Sequence, residues 1–502
     1  MEADRSQTIS NSPKPGTVAL EVESAESIRP LALDAVDDIS DKEWRRIVHK
    51  IDRRLITATG LMMAVSLMDR TNLGSAMIAG MSKDLGMSIG NRYNIALIMF
   101  FPPYILFEWP SSILAKKIGS RIFLPISVTL WGVVMLCFGF IHFWYQLVGL
   151  RALVGVFEAG LFPGSLFLLQ SWYCRFDIQK RFAAFYLISC VGSSLSGVLA
   201  AGFMNMGGVG GLAPWRYVFI WEGVLTILIG LIGAYLIVDF PQAALNSRSF
   251  LTPDELGHVI RKLEQDRGEV DEIKFSWSAY LRSGLDPKVW AFGLIFILLT
   301  GLTVTLDRST TIVSYSIAFF MPIIINDRMD VGIVGAQALG TPPYIFAGIY
   351  MCVQGWLADK HRQRSVFLIW NSIQSIVGLC ILSYTSTAGV QYFGIFLVAS
   401  ASNANVPAVM AYQSNNIRGT WKRAFCSASL ITLGGTGGII GSLVYRAEDA
   451  PRYLPGIWAS MGFCGFTIVL VGILSLHFWT LNRKADREGV AIEGMIGFRY
   501  TL

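Results

Sequence analysis

Apolar residues fall in blocks along most of this chain, separated by short polar stretches. A helix needs about 20 apolar residues to cross a 30 Å hydrocarbon core at 1.5 Å per residue. Twelve blocks reach that length, at roughly 54–78, 92–114, 121–141, 144–171, 182–204, 215–238, 290–324, 336–357, 365–386, 389–413, 423–445 and 456–480. The seventh is overlong and broken by Asp307-Arg308, so either its helix starts late with residues 302–311 as an insertion, or the segment is extra sequence. Between the sixth and seventh blocks lies a polar stretch with a helix-start signal, Thr252-Pro253-Asp254-Glu255. The pattern predicts an all-α integral membrane protein of two six-helix bundles, with a disordered tail at 1–45, bundles at 46–239 and 289–482, a linker at 240–288 and a tail at 483–502.

Composition agrees. Of 502 residues 53% are hydrophobic and only 15% charged, too few charges for a soluble chain of this length. The net charge of +6 does not form a separate basic domain that would suit nucleic acid; Lys and Arg collect in the tails and alternate loops. That bias predicts cytosolic termini in a multi-pass protein, most simply of the plasma membrane. The first forty residues are polar and hold no signal-peptide core. Seven cysteines lie in or beside apolar blocks without CxxC spacing, so no zinc site or disulfide framework is indicated and no cofactor is expected.

Candidate chemistry comes from charges placed where lipid would forbid them. In the fourth block Arg151, Gly155 and Glu158 recur at i, i+4, i+7 and share one helical face. Charged groups at such depth normally face a bundle interior or a water-filled path. The first block carries Asp69-Arg70-Thr71-Asn72. Neighbouring residues point about 100° apart, so Asp69 and Arg70 must seek partners on other helices, Arg151 and Glu158 being the candidates. Arginine forks match a carboxylate bidentately, and a buried carboxyl can carry a proton. Arg70, Arg151, Asn72 and Tyr104 are therefore candidate contacts for an organic anion, with Glu158 first and Asp69 second for the proton. Glu108 and Glu222 read as helix-end carboxylates paired with loop arginines such as Arg121 or Arg216. The second half offers amides and aromatics instead, Trp370, Asn371, Gln374, Asn403, Asn405, Tyr412 and Gln413, suited to a neutral part of a substrate or to holding helices together. No nucleophile and base set or metal cluster appears, so an enzyme is not expected.

The halves echo each other. Ser112-Ile-Leu-Ala-Lys116-Lys-Ile-Gly119-Ser-Arg121 recurs as Gly355-Trp-Leu-Ala-Asp359-Lys-His-Arg362-Gln-Arg364, 243 residues later. Both resemble the inner-loop signature G-x-L-x-D-R-x-G-R of the major facilitator superfamily, the first copy departing at Ser112 and Lys116. The resemblance implies a gating role for Gly355, Asp359, Arg362, Lys116 and Arg121. More narrowly, Asp69-Arg70-x-Asn72, Glu108-x-Pro110-Ser, Arg151-x-x-x-Gly155-x-x-Glu158-Ala, Pro342-Pro343-Tyr344, Asn415-Asn416, Lys422-Arg423-Ala424 and Asp449-Ala-Pro451-x-Tyr453 look like the anion:cation symporter family and its fungal allantoate, nicotinate and pantothenate permeases. That implies a monomer in the lipid bilayer importing a small organic anion with protons by alternating access. The alternatives are a drug or metabolite antiporter, which Gly192-Ser-Ser-Leu-Ser-Gly197 disfavours by lacking the antiporters' proline, and a nutrient sensor, which would be expected to carry longer tails.

Overall fold

A computed structural model of the chain describes residues 40–87, 89, 92–204, 206–241, 250–267, 277–304, 332–385, 387–444, 454–493, 495 and 497–502; for some helical residues, Arg70 among them, it describes the backbone alone. The Asp307-Arg308 interruption and the Asp449 to Tyr453 motif lie outside these residues. The helices of the first half are α1 (Asp41–Ala76), α2 (Arg92–Ile98), α3 (Phe101–Ile118), α4 (Ser120–Phe138), α5 (Trp144–Glu158), α6 (Leu161–Trp172), α7 (Ile178–Met204) and α8 (Pro214–Leu236). Then come α9 (Pro253–Arg267) and α10 (Trp277–Arg282), followed by α11 (Pro287–Val304), α12 (Gly332–His361), α13 (Ser365–Tyr384), α14 (Ala388–Asn416), α15 (Thr420–Val444) and α16 (Leu454–Glu488). Among the described residues, six helical stretches are long and apolar enough to cross a membrane singly, Trp144–Trp172 counted as one.

Among the described residues two expected spans are broken, each at proline. The second restarts at Phe101, with Pro102 and Pro103 in the first turn of α3, where their missing N–H groups cost nothing. The fourth stops at Glu158 and resumes at Leu161. Pro163 cannot donate to the Ala159 carbonyl and crowds it, which ends the regular ladder one turn earlier. Gly160 fits this joint because a β-carbon would come within 2.5 Å of the Phe123 ring and 2.8 Å of Ser111 Cβ.

Within the first half α4 lies against α8, and α1 against α7 and α8; in the second, α11 lies against α15 and α14 against α12 and α13. Glycine brings helices to backbone distance at two places. At Gly155 a side chain would run into the carbonyl oxygen of Phe100, and at Gly223 into the Leu136 amide nitrogen at 2.6 Å. The halves meet along α7 against α12 and α14, and along α3 and α6 against α15. Isoleucine, leucine and valine side chains point outward from α4, α8 and α13, among them Ile122, Ile126, Leu130, Leu228, Leu231, Val366 and Val377. This is the surface expected of a protein solvated by lipid. Trp370 stands 58% exposed, its side chain hydrogen-bonded to Tyr350 of α12.

The polar stretch between the halves folds against one end of the first half, here termed the linker face. The helix start at Thr252 is realised, with Thr252 N–H donating to Glu255 and Glu255 N–H donating to Thr252 Oγ1. Lys50 of α1 pairs with Glu255, Lys262 lies 4.0 Å from the Trp44 ring centroid, and the backbone N–H of Arg175 donates to Asp266 at 2.7 Å.

Candidate functional site

The charges singled out in the first half come together in its interior. Arg151 and Glu158 face inward on α5, 4% and 1% exposed, and Asp69 on α1 is 2% exposed. Ser66, Asp69 and Asn72 are spaced by three residues and fan across one side of α1. Each finds a different helix: Ser66 Oγ donates to Glu158 Oε1, Asp69 Oδ2 accepts from Trp131 Nε1 of α4 at 2.8 Å, and Asn72 Oδ1 accepts from Ser196 Oγ of α7 at 2.7 Å. Asp69 thus has Trp131 as a hydrogen-bond partner, and Arg151 acts on it through the field. Tyr93, Asp69, Glu158 and Glu222 all act electrostatically on Arg151. Its Nε and Nη2 are buried without a hydrogen-bond partner, while the guanidinium lies 5.7 Å from the Phe138 ring centroid. A buried guanidinium with two free donors is costly unless something completes it. Tyr104 is buried at the start of α3 and stacks on Phe100. The side chain of Arg70 lies outside the described residues.

Glu222 departs from its expected role. Arg216, its expected partner, donates to the carbonyl of Gly139. Glu222 is 1% exposed, both of its oxygens lack a hydrogen-bond partner, and it shares the field of Asp69 and Arg151. The missed signal was the stripe Glu222-x-x-x-Thr226-x-x-x-Gly230, whose small residues mark a packed face and not a helix end. Glu108 likewise is fully buried.

In the second half several amides pair with one another, while Asn405 Nδ2, Gln413 Oε1 and both polar atoms of Asn415 stay buried without a hydrogen-bond partner. Asn371 Nδ2 donates to Gln354 Oε1 and Asn405 Oδ1, both at 3.0 Å, and Tyr350 Oη donates to Gln374 Oε1 at 2.8 Å. Asn403 is tied to the Ala399 carbonyl and accepts from the Cys190 thiol of α7 at 3.5 Å, a contact between the halves.

The two copies of the loop repeat occupy equivalent places at the linker face but use different chemistry. Asp359 accepts from the backbone N–H of Lys180, in the first turn of α7, at 3.0 Å and from Arg364 Nη2 at 2.6 Å. A carboxylate there meets the positive end of the helix dipole. Arg364 also donates to Gln179 Oε1 and to the carbonyl of Arg175, so one buried ion pair joins the halves. Burial pushes the Asp359 carboxyl above its ordinary range despite Arg364, and lowers the Arg364 guanidinium. Gly355 packs α12 closely on α7 beside Ala183. Lys116, in the place of Asp359, lies 3.9 Å from the ring centroid of Trp421, in the first turn of α15. Gly119 and Arg362, equivalent in the repeat, both have left-handed backbone, φ 94° and 55°. Positive φ thus recurs at the equivalent position, although one residue joins the helices in the first copy and three in the second, and the Arg362 guanidinium lies over Phe176. Arg121 sits in the first turn of α4.

Comparison with known proteins agrees with this architecture. Residues 59–442 match the family described as Major Facilitator Superfamily. The chain is 30% identical to the "MFS-type transporter cnsO" of Penicillium expansum, over 93% of this chain and 94% of that protein. It is 26% identical to the "High-affinity nicotinic acid transporter" of Saccharomyces cerevisiae, over 92% and 82% respectively. Among solved structures it resembles in fold the human organic anion transporter MFSD10 (TM-score 0.58, 14% identity, 84% of this chain and 99% of that one). It also resembles the proton:xylose symporter XylE (TM-score 0.64, 12% identity, 86% and 95%). With its helices, its loop repeat and its buried charges in place, the chain belongs to the Major Facilitator Superfamily, a family of multi-pass membrane transporters and not of enzymes.

Proposed function

We propose that this transporter is a proton-coupled symporter of the anion:cation symporter family, importing a small organic anion by alternating access. The observation that carries this reading is Arg151, whose Nε and Nη2 are buried without partners among carboxylates. A carboxylate substrate would complete that fork in the bidentate geometry guanidinium favours. Glu158 and Asp69 supply acidic groups within the same field, and one of them taking up a proton balances the arriving negative charge. Asn72 extends the contact surface on α1, Tyr104 on α3 and Asn403 across the interface, and we assign Arg70 to the same anion from its place in the sequence motif. The nicotinic acid transporter among the relatives is named for a cargo of this kind: a small ring bearing one carboxylate. In this reading residues 46–239 and 289–482 are the two moving halves, the linker face and both tails are cytosolic, and the protein works as a monomer in the plasma membrane.

The test is uptake into proteoliposomes with radiolabelled nicotinate and related carboxylates, with and without an inward proton gradient. Arg151→Ala is expected to abolish binding and uptake. Glu158→Gln is expected to keep exchange of labelled for unlabelled substrate while losing accumulation against a gradient. Full gradient-driven accumulation by the Gln variant would remove Glu158 from proton coupling. Accumulation of the anion only when the gradient points outward would make the protein an exporter.

A further inference from the structure

We infer that residues 489–502 form a latch carried by the second half and hooked onto the first, which holds the linker face shut. Among the described residues of this segment, Ile492, Phe498, Tyr500 and Thr501 are all under 10% exposed, so it is seated in the protein. Its fastening to the second half is multiple. Thr501 N–H donates to Asn416 Oδ1 at 2.7 Å and the carbonyl of Thr501 accepts from Asn416 Nδ2 at 3.1 Å, at the end of α14. Tyr500 and Asn482 of α16 exchange two bonds of 2.8 Å, and the Tyr500 ring stacks on Phe478 at 4.4 Å. Glu493 pairs with Lys288 in the first turn of α11 and with Lys422 in α15, and the carbonyl of Leu502 accepts from the N–H of Arg364 at 2.6 Å. One set of contacts therefore gathers the ends of α11, α13, α14, α15 and α16.

Its hold on the first half is of another kind. The Arg175 guanidinium, in the connection between α6 and α7, lies 4.8 Å from the Phe498 ring centroid. The same residue gives its carbonyl to Arg364 and its N–H to Asp266 of α9, so Phe498 closes over the point where both halves and the linker meet. If the halves separate at the linker face, reciprocal amide pairs and ion pairs carry the segment with the second half. Among the described residues, the contact the segment must release is that of the Phe498 ring with the Arg175 guanidinium, alongside the bonds of Asp359 and Arg364 to the first half. The latch also adds acid where the loop repeat has none: Lys116 replaces the carboxylate of the first copy, and Glu493 with Asp286 brings negative charge to Lys422 at the start of α15. This inference needs the transporter fold but no substrate, so it stands or falls apart from the organic-anion reading.

Amide hydrogen exchange on the full chain in lipid nanodiscs tests it, with two built-in reporters. The Lys180 amide is held by Asp359 across the halves, and the Arg364 amide is held by the segment itself. Phe498→Ala is expected to speed exchange at Lys180 by about two- to thirty-fold, the range of a cation and ring contact, with Arg364 and the cores of α4 and α8 unchanged. Phe498→Tyr, which keeps a ring, should restore the wild-type rate. Unchanged exchange at Lys180 in the Ala variant, or acceleration spread equally over α4 and α8, would show a packing segment and overturn the latch.

Discussion

Asp359 and Arg364 form an ion pair so well buried that each side chain is almost solvent-free, 5% and 0% exposed. Removing one partner strands the other charge, so Asp359→Ala is expected to cost about 3–5 kcal/mol, read as a lowered unfolding midpoint in detergent. Replacing both by apolar residues should recover much of that loss, because the desolvation cost leaves with the charges. The groups around Glu493 behave differently with pH. Burial opposes ionisation of Glu493 and Asp286, but hydrogen bonds and charges from Lys288 and Lys422 outweigh it and hold both carboxyls below their ordinary range; Lys422 is raised in turn. A depressed acid stabilises above its ordinary pKa and stops doing so as pH falls through the depressed value. A raised lysine stabilises below its ordinary pKa and stops as pH climbs through the raised one. Both conditions hold together from about pH 5 to about pH 10. Protection of the Arg364 amide, corrected for intrinsic exchange, is therefore expected to stay flat between about pH 5.5 and 8. Asp69, Arg151 and Glu158 were legible from sequence as interior groups because a charge deep in an apolar run is costly against lipid. The environment of Glu222 was not, since choosing between a helix-end arginine and a buried neighbour depends on how α8 turns against α4.

Among the elements, the helices were readable from block length and their ends from proline and capping residues. Where a span would break, and which helices would touch through bare backbone, required the packing. Gly155 shows why: the sequence marks it as one member of a charged face, and the fold reveals it as the place where α5 meets the carbonyl of Phe100. Gly155→Ala is expected to destabilise by about 1–3 kcal/mol through overpacking and to displace Arg151, one turn away, so binding should weaken along with thermal stability. Gly223→Ala tests the packing alone. It should lower the unfolding midpoint by crowding Leu136, with a smaller effect on binding.

Across the whole molecule, the two halves are joined at the linker face by unlike locks at equivalent positions: an ion pair around Asp359 and a lysine over the Trp421 ring. The internal repeat made the equivalence visible in the sequence. That Lys116 would find an aromatic partner was not visible, because Trp421 lies about three hundred residues away and belongs to no copy of the motif. Lys116→Ala is expected to favour opening at this face by about two- to thirty-fold. The measurement is labelling of Ala183→Cys, a position buried where α7 meets α12, by a polar maleimide in vesicles exposing the linker face. A labelling rate equal to that of the same cysteine with Lys116 intact would mean the aromatic contact contributes nothing to closure.

The break after Glu158 has a mechanical meaning. Pro163 has already removed one rung of the helix, so the two rods on either side can change their angle without tearing a hydrogen bond. The upper rod is wedged at Gly155 beside Phe100, while Gln170 on the lower rod accepts from Ser427 of α15 at 3.4 Å. A tilt of the second half would reach this elbow through the lower rod, and the side chain that stands at the elbow is the carboxyl of Glu158.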